Sequence, residues 1–156
     1  MDIDQGSLEL LELPEARALL SSTVPARLAY NWSDGTPRVV PIWFAWSDAE
    51  LVMATFAGAP KLGVLAEGTR VAVTVDTAEM PYRVLLLRGP LDVREQVGIV
   101  AEYAAAASRY LGADGASSWL QQFPPDIAMT RLALRPDWVG LLDFGPAARY
   151  PSMLSA

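Results

Sequence analysis

The sequence predicts a mainly β domain of the α+β kind, in which six or seven antiparallel strands meander into a closed or partly open barrel flanked by two or three helices. Three observations predict it. Short runs rich in β-branched and aromatic residues recur between clusters of Gly, Pro, Asp and Ser, which is the pattern of strands joined by turns. The order of strand-like and helix-like segments suits such a barrel rather than a parallel α/β sheet. A length of 156 residues, an apolar fraction of 52% and five Trp suit one well-packed core. The span 1–156 is therefore expected to be one domain.

Residues 8–22 are expected to hold a short helix starting near Pro14, which a first turn tolerates. Ala26 to Trp32 alternates as a strand, and Ser33-Asp34-Gly35 supplies a turn into a second strand, Arg38 to Trp46. Pro41 lacks a ladder donor, which implies an edge or a bulge. A third strand runs from Glu50 to Phe56, followed by a helical turn from Pro60 to Ala66 that Gly68 ends.

Arg70 to Asp76 is a fourth strand and Tyr82 to Val93 a long fifth one, kinked at Gly89-Pro90. Gln96 to Leu111 has helical composition, with Val97, Val100, Ala101, Ala104, Ala107 and Ser108 near one face, and Gly112 is placed to stop it. A short helix is expected over Ala116 to Phe123, and two closing strands over Asp126 to Arg135 and Trp138 to Phe144. The Pro- and Ala-rich stretch from Gly145 to Ala156 is expected to be a mobile or partner-wrapping arm.

The composition removes whole classes of chemistry. There is no His and no Cys, which excludes imidazole bases, thiolate nucleophiles, disulfides and zinc sites built on those ligands. No catalytic side chain and no metal site is predicted, so an enzyme of this composition needs a bound cofactor to carry the reaction. Neither a GxGxxG nor a Walker-type run is present, which argues against Rossmann and P-loop phosphate binding. A net charge of −6 with the eleven Arg scattered gives no footprint for nucleic acid. The acidic first residues and the absence of an apolar run near 18 residues point to a cytoplasmic protein with no membrane partner.

Lys61 is the only lysine, and it stands where the third strand gives way to the expected helical turn. It is either a solvated surface charge or the ammonium of a phosphate site, with the hydroxyl of Thr55 at the strand end as a second contact. The cluster of Trp43, Phe44 and Trp46 suits either core or interface packing, or stacking on a planar ring.

Taken in order, Leu28-Ala29, Asp34-Gly35, the run Pro37 to Phe44, Ala54-Thr55, Ala59-Pro60-Lys61, the run Arg70 to Asp76, Pro81-Tyr82-Arg83 and Arg88-Gly89 resemble the pyridoxamine 5'-phosphate oxidase-like split-barrel family. That family includes FMN proteins and deazaflavin-dependent reductases. The resemblance covers nearly the whole chain, and its specificity lies in the order and spacing of degenerate pieces. It implies an antiparallel six-stranded split β-barrel with flanking helices. It also implies that the backbone of Val40, Pro41, Ile42 and Trp43 lines the ring of FMN or of the deazaflavin coenzyme F(420). Thr55 and Lys61 then hold the phosphate, with Ala54 and Pro60 beside them.

Family members often carry an Arg two residues after the phosphate lysine and then an Asn, where this chain has Gly63 and Val64; either the phosphate grip is thinner here, or Arg38 or another Arg substitutes. The basic and imidazole-bearing substrate motifs of the strict oxidases are absent, so pyridoxamine phosphate is not the expected substrate. The resemblance implies a homodimer with cofactor sites at its interface, acting by hydride transfer on a small organic molecule. From their position before the long fifth strand, Tyr82 and Arg83 are expected to face that molecule. The alternative is a split barrel that binds a cofactor or ligand without turnover.

Overall fold

The computed structural model describes residues 3–146. Most of the expected C-terminal arm, residues 147–156, lies outside the described residues. After a 3-10 turn over Leu8–Glu12, the elements are α1 (Pro14–Leu20), β1 (Ala26–Asn31), β2 (Pro37–Ile42), β3 (Phe44–Ser47), β4 (Glu50–Phe56), β5 (Arg70–Asp76), β6 (Arg83–Val97), α2 (Ala101–Leu120), β7 (Ala128–Leu134) and β8 (Trp138–Asp143). The strands are ordered β2-β1-β5-β6-β7-β4-β3, with β8 added to β6. Every pairing is antiparallel, as expected.

The six-stranded expectation is corrected to eight strands. The run Arg38 to Trp46 is two strands rather than one, because it breaks at Trp43 and its halves lie at opposite ends of the strand path. The curled sheet therefore has its seam at a single residue. β6 makes the opposite corner. Its residues 83–88 pair with β8 and 84–90 with β5, whereas 91–97 pair with β7. One strand thus serves both halves, and the change falls at the predicted Gly89-Pro90 kink.

Three further boundaries move. Gln96 and Val97 are not the start of a helix, since they pair with Met129 and Ala128 at the end of β6. The turn at Lys61 is a four-residue 3-10 segment, Pro60–Gly63, rather than a helix reaching Ala66. Gly112 does interrupt the helix, with φ 74 and ψ 169, but a second helical piece follows at once and continues to Leu120.

The barrel interior is filled from β1, β4, β5, β6, β7 and β8, and Leu10, Ala16, Leu19 and Leu20 close one end from α1 and the turn before it. Outside, α2 covers β3 and β4. Its buried face is set by Tyr103, Ala106, Ala107 and Tyr110, a helical i, i+3, i+4, i+7 stripe, while the expected members Val97, Ala101 and Ser108 are exposed. The two tyrosines decide the face because both reach Trp43.

The outer edge of β8 is met by the N-terminal segment. The Gln5 side chain donates to Leu141 O (2.7 Å) and accepts from Leu141 N (2.9 Å), and Gly6 N donates to Val139 O (2.7 Å). A side-chain amide stands in for a missing strand there and satisfies the edge.

Two features of this framework carry predictions. The β3–β4 hairpin turns through Asp48 and Ala49 with φ 51 and 61, a left-handed geometry that disfavours a Cβ. Replacing Ala49 with Gly is expected to stabilise the protein by about 1 kcal/mol, a rise of roughly 2–4 °C in thermal midpoint. On the outside of β7, Arg131 forms a double contact with Glu102 (3.1 and 2.7 Å) and lies 3.6 Å from Glu50, which Arg135 also engages at 2.9 Å. The Arg131 hydrogen bond holds the Glu102 carboxyl below the usual glutamate range. A carboxylate depressed on folding contributes stability above its unfolded pKa of about 4.3, and that contribution is lost as pH falls through the folded value. Urea unfolding as a function of pH is expected to show this acid-side loss, with a shallower slope in Glu102→Gln.

Candidate functional site

β2 is the last strand of its path and bonds only to β1. Pro41 sits there because an edge strand tolerates a missing donor. Alternation along β2 turns Val40 and Ile42 inward, where both pack on the core, and leaves Val39 and Pro41 outward, with Val39 65% exposed. What β2 offers a ligand is therefore its unpaired backbone edge and its outward row, not the side chains of Val40 and Ile42.

The Trp43 side chain is turned to α2. Its ring stacks on Tyr110 (centroids 5.1 Å apart, planes at 18°) and lies 5.8 Å from Tyr103 and 6.1 Å from Trp119. Phe44 is fully buried and Trp46 is half-buried against the core. The aromatic cluster of the sequence is thus packed within the chain, and only the backbone at Trp43 remains at the seam.

At the end of β4, Ala54 is buried with Val100 and Met129. Thr55 is half-buried and pairs in register with Thr130. Pro60 is exposed and opens the 3-10 turn, followed by Lys61. Four residues of 3-10 geometry do not form the helix terminus that the sequence suggested. The ammonium carries the argument instead. Lys61 is partly buried, and that burial pulls its pKa below the ordinary lysine value. Among the described residues no carboxylate pairs with it. A partly desolvated cation with no internal partner favours an external anion, which restores the interaction that burial removed. Lys61 and the Thr55 hydroxyl lie at the two ends of one short connection, and they suit a phosphate.

Arg38 is exposed near the start of β2. Its guanidinium donates to Thr36 Oγ1 (2.5 Å) and Pro37 O (3.2 Å), and it lines an open cavity with Arg70 and Arg88, two residues the sequence reading gave no role. Tyr82 is 44% exposed, while Arg83 is turned to the buried Asp143, with Nε 3.4 Å from Oδ1. Among the described residues no helix is long and apolar enough to cross a membrane.

The sequence model described as pyridoxamine 5'-phosphate oxidase matches residues 13–143. Among curated proteins, no match is found. Among solved structures, the chain is similar to an F(420) reductase at 27% identity, covering 80% of this chain and 94% of that one, with a TM-score of 0.61. It is similar to an FAD and heme binding protein from Mycobacterium smegmatis at 25% identity, covering 95% and 76%, with a TM-score of 0.60. A conserved hypothetical protein from Mycobacterium tuberculosis shares the fold at 17% identity, covering 96% and 92%, with a TM-score of 0.66.

Proposed function

Because the chain belongs to the pyridoxamine 5'-phosphate oxidase family, we propose that it binds FMN or the deazaflavin coenzyme F(420) by its phosphate and acts in the cytoplasm as an oxidoreductase on a small organic molecule. The observation that carries this reading is Lys61, a partly desolvated ammonium with no carboxylate partner among the described residues, one connection away from the Thr55 hydroxyl. An F(420) reductase and an FAD and heme binding protein among the similar structures support a flavin-type ligand. When bound, such a group supplies the hydride chemistry that this chain has no side chain to perform.

The chain's own contribution is binding and orientation. Lys61 and Thr55 anchor the phosphate end, and the free edge of β2 from Val40 to Trp43 meets the ring with main-chain groups. Ala54 and Pro60 shape the connection between them. With no His or Cys, neither an imidazole nor a thiol moves a proton here, and hydride transfer from such a ligand needs no side-chain proton carrier. A homodimer completes the site: the outward row Pro37, Val39 and Pro41 is exposed along β2, and a second copy laid against it covers that apolar edge.

The test is a fluorescence titration with FMN and, separately, F(420). Lys61→Ala is expected to weaken binding by about 1.5–3 kcal/mol, or roughly tenfold to a hundredfold, the worth of one charge-assisted hydrogen bond. Binding of neither cofactor, or binding indifferent to Lys61→Ala, overturns the reading. Binding without turnover of a reduced cofactor leaves a ligand-binding barrel that is not an enzyme.

A further inference from the structure

The outward face of β2, β1, β5 and β6 holds a concavity that Lys61 and Thr55 do not line. The strand register explains why it exists. Val39 pairs with Ala29, Ala29 with Ala72, Ala72 with Arg88 and Arg88 with Trp138. Ala29 and Ala72 offer only methyl groups between Val39 on one side and Arg88 and Trp138 on the other, so the surface dips. The result is an open cavity of about 350 Å³, lined by Ala29, Asn31, Ala72 and three arginines, Arg38, Arg70 and Arg88.

Its charge is one-sided. Three guanidiniums and no carboxylate line the cavity in a protein with 18 acidic residues against 12 basic ones. Arg88 has no acidic partner among the described residues and lies over the Trp138 ring, 3.8 Å from its centroid. Stacking fixes the plane of that guanidinium and leaves its N–H donors free. Arg70 is steadied in a similar way, since both terminal nitrogens donate to Asp137 at 2.7 Å. Arg38 is held by Thr36 and Pro37. Asp137 offsets the charge of Arg70, whereas Arg38 and Arg88 have no ion-pair partner among the described residues, so a bound anion gains their uncompensated charge.

We propose that this cavity is an oxyanion-binding subsite, taking a phosphate or carboxylate group between Arg38, Arg70 and Arg88 with the Asn31 amide at its rim. It shares Arg38 with the expected cofactor contacts, but neither Lys61 nor Thr55 lines it, so variants at Lys61 and at Arg88 separate the two readings.

The experiment is calorimetric titration of the full chain with inorganic pyrophosphate and, separately, with citrate, at low ionic strength. Binding is expected that weakens about tenfold or more in Arg88→Gln and in Arg70→Gln, by loss of a charge-assisted contact, and that weakens further as salt rises. Arg17→Gln, at an exposed position on α1, is expected to change nothing. Ala72→Glu raises the floor with a carboxylate and removes no arginine, so it reports on the same cavity if an arginine variant folds poorly; it is expected to abolish binding. Either anion binding in this pattern supports the subsite, and their order of affinity separates a phosphate from a carboxylate ligand. Pyrophosphate binding lost in Lys61→Ala but kept in Arg88→Gln overturns the subsite and leaves the cofactor reading standing. No binding, or binding equal in all variants, overturns it too.

Discussion

Arg109→Ala is expected to destabilise the protein by about 3–5 kcal/mol, a fall of roughly 10 °C or more in thermal midpoint. Its side chain ties three separate segments together. From α2, Arg109 Nε donates to Ser22 O at 2.8 Å and Nη2 donates to Phe44 O, so one guanidinium holds both the link after α1 and the start of β3. The same group lies 4.7 Å from the Phe44 ring and 4.8 Å from the Tyr110 ring. Tyr110 adds to the clamp by donating to Val24 O at 3.1 Å, and burial raises the pKa of its hydroxyl, so the donor proton is retained across ordinary pH. Removing the guanidinium takes away two charge-assisted bonds and leaves two carbonyls without a donor. Arg109→Lys is expected to recover less than half of the loss, because one ammonium on a flexible stem does not serve both acceptors in the geometry of a planar fork. Urea unfolding of the three proteins decides the matter. A loss within about 1 kcal/mol for Arg109→Ala means that packing alone holds α2.

The second large effect is expected at Gly89. A Cβ built there stands 2.5 Å from Arg135 O, 3.1 Å from the Pro136 Cα and 3.2 Å from Asp137 N. All three neighbours are backbone atoms, and that backbone is anchored, since Asp137 N donates to Arg88 O at 2.9 Å. Nothing there yields by a rotamer change. Gly89→Ala is therefore expected to destabilise the protein by about 3 kcal/mol, at the upper end of overpacking effects. The same substitution at Gly63, where no atom lies within 4 Å of the built Cβ and φ is unremarkable, is expected to stay within about 0.5 kcal/mol. Equal effects at the two positions would show that the corner of β6 relaxes more freely than its contacts imply.

What was legible in the sequence follows from what local pattern encodes. Alternation and turn residues identified β1, β4 and β5 to within a residue or two, and the lone Pro41 marked an edge strand correctly. The break at Trp43 was illegible because Ile42, Trp43 and Phe44 all favour a strand. The interruption comes from closing the sheet and from a ring drawn to Tyr110, a partner 67 positions away. Gln96 and Val97 were misread for a related reason: their partners on β7 come after the helix. At the candidate site, the composition singled out Lys61, and its burial gives the position a physical meaning. Arg70 and Arg88 escaped notice because their convergence with Arg38 depends on register across four strands, whereas Arg88 and Ala72 become neighbours only once β5 and β6 are paired.

The grip of Gln5 on Leu141 spans 136 positions. On a ribosome, where a chain emerges from N- to C-terminus at about 5–20 residues per second, the segment that finishes the barrel edge is made well before β8 and has no acceptor until β8 follows. The segment around Gln5 is thus made long before the partner that secures it. Until β8 arrives, β6 also lacks one of its neighbours, so the nascent protein carries an unsealed flank through most of its synthesis. That interval, rather than the finished fold, is where a holding chaperone has the most to protect.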